Sequence, residues 1–290
     1  MNLEFAQFLA TRYNRIRTAF PQEGRRKWLL RALDAFWGGN PPIPKPNVAT
    51  ASEDQVISSE DADPLDRLLD DVDGGVVLRT DFSNDEAWSA FLSRLKVAEE
   101  EYTEANKPDE DTKMDHDDDG DESDEESEAS GQLIKVIDPS TPGERSLFQD
   151  ISNLRALRLV NDVDIRPAPM LPAGTKRISP PNRLVDRSGW QEIYSGVNIW
   201  IYDSRSNTDQ SLRLVSQEGD VYGTATSVTI SANAHALTRP YRGDSWRAQV
   251  SHVYELQFNM TFLDMKINFG GLDRWDFTER TRNITEAEST

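Results

Sequence analysis

V-V-L-R-T-D-F-S-N-D-E-A-W, residues Val76–Trp88, compresses a strand, a turn and a helix start into one short stretch, and it sets the expected fold class. Val76, Val77 and Leu78 are the branched run of a strand. Ser83 followed three residues later by Glu86 has the spacing of a capping box, with Phe82 and Ala87 as its hydrophobic staple. Trp88, Phe91, Leu92 and Leu95 then recur at helical spacing, so one apolar stripe is available to lie on a sheet.

Outward from this stretch, the neighbouring segments differ sharply in character. On its N-terminal side, Phe5, Phe8, Leu9, Tyr13, Ile16 and Phe20 fall three or four apart, which predicts an amphipathic helix over residues 2–20. Pro21 and Gly24 interrupt it. A second helix follows with Trp28, Leu29, Ala32, Leu33, Phe36 and Trp37 on one side and Gly38-Gly39 at its end. Together these predict a helical hairpin over 1–39 whose apolar face, at Trp28, Leu33 and Phe36, either packs on the main domain or receives a partner. Arg25, Arg26, Lys27 and Arg31 make the second helix basic, which also suits a docking or membrane-surface element. Residues 40–73 read as a linker. Pro41, Pro42, Pro44 and Pro46 favour a stiff polyproline spacer over an SH3-type ligand, and Asp63-Pro64 starts a brief helix carrying Leu65, Leu68 and Leu69.

On the C-terminal side, residues 97–129 hold 17 Asp or Glu against 2 Lys, so this run supplies -15 of a total net charge of -19. The remainder is nearly neutral, and the acidic pI describes one segment rather than a uniformly acidic surface. The run is expected to form a disordered insertion over 99–131. Beyond it Leu133–Ile137 reads as a second strand, completing strand, helix, strand. A helix is expected around Ser146–Leu154 and a strand around Leu157–Ile165. The five prolines between Arg166 and Arg187 predict a loop. From Val197 the pattern has period two, with strands expected at Val197–Tyr202, Leu212–Val215, Val221–Ile230 and His252–Leu263. The expected fold is therefore mixed α/β, or α+β: a strand-helix-strand start followed by a largely antiparallel sheet. A single domain spans 74–280 and a polar tail occupies 281–290.

The composition excludes several chemistries. With no cysteine there is no disulfide, thiolate nucleophile or sulfur-ligated metal. No apolar stretch approaches the ~20 residues of a membrane span, and no signal peptide is evident, which points to the cytosol or nucleus. The sequons at Asn259 and Asn283 are then expected to stay unmodified. A P-loop, G-x-S-x-G elbow, H-E-x-x-H and G-x-G-x-x-G are all missing, and His116, His235 and His252 have no companion residues. No cofactor, metal or catalytic residue is therefore assigned, and no direct nucleic-acid binding is expected.

Asp115–Glu126 has the spacing of an EF-hand loop, with Gly120 at its sixth position. Nine of its twelve residues are acidic, so the match arises easily by chance; Glu122 stands where an aliphatic residue belongs, and neither flank has helical periodicity. A solvated acidic segment is the better reading, with engagement of basic proteins as its functional form and Ser123 as a candidate phosphorylation site in its D-E-E context. Arg79, Asp81 and Asp85 gather at the C-terminal end of the opening strand, where open α/β sheets hold ligands. They are the candidate ligand site, although Asp85 and Glu86 also suit a helix N-terminus by charge alone. Among the aromatics, Trp190, Tyr194, Trp200, Tyr202, Tyr222, Tyr241, Trp246 and Tyr254 read mainly as core and sheet-face packing.

Leu78–Trp88, L-R-T-D-F-S-N-D-E-A-W, resembles the start of a family of small uncharacterised bacterial and fungal proteins that open with L-R-T-D-F-S-D-D-x-A-W. Asn259–Phe269, N-M-T-F-L-D-M-K-I-N-F, is similar to their closing segment, N-L-S-I-A-N-M-D-F. The resemblance covers the two ends of the folded region and implies a single α/β domain without a known activity. A non-enzymatic protein-interaction module is the leading expectation for function, and a small-ligand binder or enzyme using Arg79–Asp85 is the alternative.

Overall fold

The computed structural model describes residues 3–39, 61–69, 74–105, 132–167, 190–215, 245–263, 265 and 282. The polyproline stretch, most of the acidic run with Ser123 and the EF-hand-like spacing, the Pro-rich loop and the expected strand Val221–Ile230 lie outside the described residues.

Within them the fold is mixed α/β, with an N-terminal helical hairpin and a partly antiparallel sheet. Helices α1 (Leu3–Ala19) and α2 (Arg25–Gly38) form the hairpin, and α3 (Asp66–Leu69) is a single turn. Strand β1 (Gly75–Arg79) is followed by α4 (Asp85–Ala105) and β2 (Ile134–Ile137). Next come α5 (Pro142–Phe148), α6 (Asn153–Val160), β3 (Asp162–Pro167), β4 (Trp190–Ser195) and β5 (Asn198–Tyr202). The short α7 (Ser206–Asp209), β6 (Ser211–Val215), β7 (Ser245–Gln249) and α8 (Val253–Phe262) complete the order.

Among the described residues five strands form one sheet in the order β2-β1-β5-β6-β7, while β3 and β4 pair separately. β1 runs parallel to both neighbours, with Gly75 opposite Ile134 on one side and Asn198 on the other. The β5–β6 and β6–β7 pairs are antiparallel. Every residue of β1 is buried, as expected of a central strand covered on both faces. Its alternation divides the interior in two. Val77, with Trp200, Tyr202 and Leu214, faces α4 and α8. Val76 and Leu78, with Ile199 and Ile201, face α5 and α6. A third cluster joins the hairpin to the small sheet, setting Phe5, Leu9, Leu33 and Phe36 against Val163, Ile165 and Trp190.

Four local expectations change. First, helix α4 is capped by Asn84, whose Oδ1 accepts from the Ala87 N–H at 3.0 Å. Ser83 instead turns back, its N–H and hydroxyl both donating to Asp81 Oδ1, so no capping box forms there. The reciprocal box occurs in α5, between Thr141 and Glu144 with Pro142 in the first turn. Asn84→Ala is expected to cost about 1 kcal/mol; Ser83→Ala should cost less, and urea midpoints for the two variants decide which residue is the cap. Second, the acidic run is helical at its start, since α4 continues to Ala105 rather than giving way near residue 99.

Third, the segment read as one helix over Ser146–Leu154 is two. Asp150 sits at φ 51°, donating its N–H to Thr80 O at 3.0 Å, and Ser152 caps a new helix through the Arg155 N–H. Leu157–Val160 therefore belongs to α6, and the strand begins only at Asp162. Fourth, His252–Leu263 is not a strand. A short 3-10 turn at Val250–His252 leads into α8, which buries Val253, Tyr254 and Gln257 at helical spacing. Gly75 permits this packing, because a Cβ there would stand 2.4 Å from Gln257 Oε1.

Candidate functional site

The parallel strands β1, β2 and β5 all deliver their C-terminal ends to one edge of the sheet, and the polar residues gather there. Arg79 is the last residue of β1, and its side chain is 3% exposed. Its Nε donates to Asp81 O at 3.0 Å, one terminal nitrogen reaches Asp138 at 3.4 Å and the other reaches Asp85. The guanidinium lies 5.1 Å from the ring centroids of both Phe82 and Trp88. Trp88 Nε1 donates in turn to Asp138 Oδ2 at 2.9 Å. Arg79 thus binds the end of β1 to the first turn of α4 and to the residue after β2. Arg145 also approaches this arrangement, its guanidinium 5.2 Å from the Phe82 ring centroid, while its Nε donates to Pro139 O.

Asp81 makes the second connection. It accepts from the Ser83 N–H at 2.9 Å, from the Ser83 hydroxyl and from Asn207 Nδ2 at 3.0 Å. Asn207 Oδ1 accepts from the Tyr202 hydroxyl at 2.7 Å, tying the turn after β1 to α7 and the end of β5. Partial burial pushes the Asp81 carboxyl up, but the hydrogen bonds from Ser83 and Asn207, with the charge on Arg79, outweigh it and hold it below its usual range. Hydrogen bonding to Arg79 lowers Asp85 as well. Burial pushes the Tyr202 hydroxyl up to about 12. At neutral pH the two carboxylates are therefore ionised acceptors and the phenol is a neutral donor. A lowered folded-state pKa contributes stability that is present above the unfolded value of about 3.9 and is lost as pH falls through the folded one. Urea midpoints measured from pH 5 down to pH 2 should fall more steeply for the wild type than for Asp81→Asn, and parallel curves would remove Asp81 from the acid response.

A second charged group adjoins the first. Asp203, just past β5, pairs with Arg213 at 3.2 Å and with Arg247, and it also accepts from the Arg205 and Ser206 N–H groups in the α7 turn. Arg213 and Arg247 stand directly opposite each other on β6 and β7, a like-charge cross-strand pair that the shared carboxylate offsets.

Arg79, Asp81 and Asp85 thus come together as the sequence placed them. Asp138, Trp88, Tyr202, Asn207 and Arg145 join them; Trp88 and Tyr202 were read only as packing residues, and Asp138, Asn207 and Arg145 had no local signal. Asn207 lies 126 residues from Asp81, and only the strand ending at Tyr202 pointed to its neighbourhood. Trp28, Leu33 and Phe36 are placed differently. All three are buried within the chain: Leu33 and Phe36 in the cluster with Trp190, and Trp28 edge-on to Tyr13, with its Nε1 donating to Phe20 O. The hairpin face considered for a partner is therefore covered by the chain's own residues. Among the described residues no group of three His, Cys, Asp or Glu is arranged to hold a metal, and at the strand edge the Arg79 guanidinium itself stands between the carboxylates of Asp85 and Asp138. Among the described residues no helix is long and apolar enough to cross a membrane. No family model, curated protein or solved structure matches the chain.

Proposed function

We propose that this chain is a non-enzymatic protein-interaction module of the cytosol or nucleus, whose folded α/β body presents a surface to a protein partner. One observation carries the reading: the polar cluster at the strand edge is engaged with itself. Arg79 bonds to three groups of its own chain, and Asp81 accepts from Ser83 and Asn207. A general acid or base needs a pKa brought toward neutrality, whereas Asp81 and Asp85 are displaced the other way. The cluster acts as a fastening between β1, α4, β2 and α7. Engagement of basic proteins by the acidic run, and phosphorylation of Ser123, belong to the same reading.

The position of the cluster, at the C-terminal ends of parallel strands, favours a second reading as a small-ligand or enzyme site. Thermal unfolding of the full chain against a metabolite library separates the two. The module reading expects no stabilisation that depends on Asp81, together with a stoichiometric protein partner recovered from the native cell. A metabolite that raises the Tm of the wild type and not of Asp81→Ala overturns it.

A further inference from the structure

The chain passes from β2 into α5 through D-P-S-T-P-G, residues 138–143, and the four residues 140–143 are all exposed. Thr141-Pro142 is one of two places in the sequence where a hydroxyl residue precedes proline. The other, Ser179-Pro180, lies outside the described residues. Proline lacks an N–H, has a fixed φ and holds the residue before it extended. Thr141 is accordingly extended, at φ -88° and ψ 150°. A Cβ added at Gly143 would meet nothing within 4 Å, so the turn opens onto solvent. An exposed, extended threonine followed by proline is the substrate form of the proline-directed protein kinases. Pro139, itself buried, completes the P-x-T-P spacing that mitogen-activated kinases favour.

The hydroxyl is also in a suitable state. Thr11, Thr18, Ser89, Ser93 and Thr103 each donate to a carbonyl three or four residues back along the chain. Ser83 donates to Asp81. Thr141 does the reverse: its Oγ1 accepts from the Glu144 N–H at 3.3 Å, and among the described residues its proton has no acceptor. A kinase draws that proton toward its catalytic aspartate as the phosphoryl group arrives, and at Thr141 no donated hydrogen bond has to break first. The turn that must loosen for the kinase is weak as well, since α5 has seven residues and begins with Pro142 and Gly143.

A cation stands one carboxylate away. Glu144 Oε2 accepts from the Thr141 N–H at 3.2 Å, and Glu144 Oε1 pairs with Arg67 of α3. Leu68 and Leu69 pack α3 on the cluster that also holds Phe148 of α5. A phosphate on Thr141 carries close to two negative charges and three acceptor oxygens. It repels the Glu144 carboxylate and competes with it for the Arg67 guanidinium, whose side chain is 59% exposed and able to turn.

We propose that Thr141 is phosphorylated by a proline-directed kinase and that Arg67 then holds the phosphate. Thr141 Oγ1 bonds to the γ-phosphorus of Mg-ATP as the bond from that phosphorus to the bridging oxygen breaks. ADP leaves, and the hydroxyl proton passes to the kinase aspartate. The proposal rests on the cytosolic or nuclear location in the module reading, where ATP and such kinases are found.

The test incubates the purified full chain with Mg-ATP and a mitogen-activated protein kinase and then digests it with trypsin. Cleavage after Lys135 and Arg145 isolates Val136–Arg145, which should carry one phosphate, placed on Thr141 by fragmentation. The same peptide from protein isolated from its native cells should carry it too. Pro142→Ala keeps the hydroxyl and should slow incorporation at least about tenfold; Thr141→Ser should preserve it. In phosphorus NMR the second pKa of the phosphothreonine should lie below its usual value of about 6 and return toward it in Arg67→Gln. A chain that takes phosphate at Ser179 and none at Thr141 overturns the proposal, because the kinase is then active and the turn refuses it. Phosphorylation of a synthetic Lys135–Ser146 peptide but not of the folded chain overturns it for the same reason. An unmodified Thr141 in both, or in the protein from native cells, overturns it as well, and a phosphate pKa indifferent to Arg67→Gln overturns the assignment of Arg67. Each of these leaves the module reading standing, which fails separately on an Asp81-dependent metabolite shift.

Discussion

Replacement of Glu192 by alanine is expected to remove about 3–5 kcal/mol of folding stability, the usual effect of stripping one partner from a buried ion pair. Glu192 on β4 is 3% exposed and accepts four donors. Arg158 supplies two of them, from Nε at 3.0 Å and from a terminal nitrogen at 2.6 Å. Trp37 Nε1 and the Tyr194 hydroxyl supply the others. Arg158 is itself 5% exposed. Burial disfavours its charge and the adjacent Glu192 more than restores it, so alanine would leave a desolvated guanidinium facing a cavity. The residual contact of Arg158 with Asp34, at 3.3 Å, is more exposed and is a poor substitute.

Because Trp37 and Asp34 both lie on α2, the damage should appear first as loosening of the hairpin. Limited proteolysis of Glu192→Ala should cut α1 or α2 before the main sheet. Glu192→Gln keeps an acceptor without the charge and should fall between the two. Arg158→Met combined with Glu192→Leu should recover most of the lost stability, since an apolar pair can replace a buried ionic one. A single-variant loss below about 1 kcal/mol in urea denaturation would show that water reaches the pair.

Trp200→Ala should destabilise by a similar amount, about 3–5 kcal/mol, through a different mechanism. Trp200 is 0% exposed at the centre of the sheet, in the cluster with Phe91, Tyr202, Leu214 and Val253. Truncation opens a cavity in a densely packed interior, and it leaves Gln257 Oε1 without the indole N–H that now donates to it at 2.8 Å. Gln257 is fully buried on α8, so water cannot readily replace that donor. Trp200→Phe should retain most of the volume and lose chiefly the hydrogen bond. Val97→Ala, on an exposed face of α4, should stay within about 0.5 kcal/mol. A midpoint for Trp200→Ala indistinguishable from that of Val97→Ala would contradict the placement of the indole.

The strand-turn-helix at Val76–Trp88 and the hairpin were legible because each announces itself within a few residues, by periodicity and by breakers. The cap of α4 was read one residue early for a reason the sequence alone does not reveal: Ser83 and Asn84 can both cap, and only the folded turn shows Ser83 committed to Asp81. Helix α8 failed because tertiary context overrode an alternating pattern. Its Gln257 is buried by virtue of Trp200, which is 57 residues away. The β3–β4 sheet lies across a long interval of chain, and its strands W-Q-E-I-Y-S and D-V-D-I-R-P carry buried acids, Glu192 and Asp164, that depress any hydrophobic signal. At the strand edge the three residues nearest in sequence were found. Asp138, Asn207 and Tyr202 were not, because long-range convergence leaves no spacing to read.

The place of β1 in the sheet also bears on how the chain is made. It is synthesised well before one of its neighbours, β5, which pairs Asn198 with Gly75. At a synthesis rate of roughly 5–20 residues per second, an interval on the order of 6–25 s separates the two on the ribosome. Throughout it this fully buried strand has at least one unsatisfied edge of amide and carbonyl groups. The topology that places β1 between β2 and β5 in the finished sheet therefore leaves it exposed to aggregation in the nascent chain, and folding of the sheet is bound to be a late, non-local event.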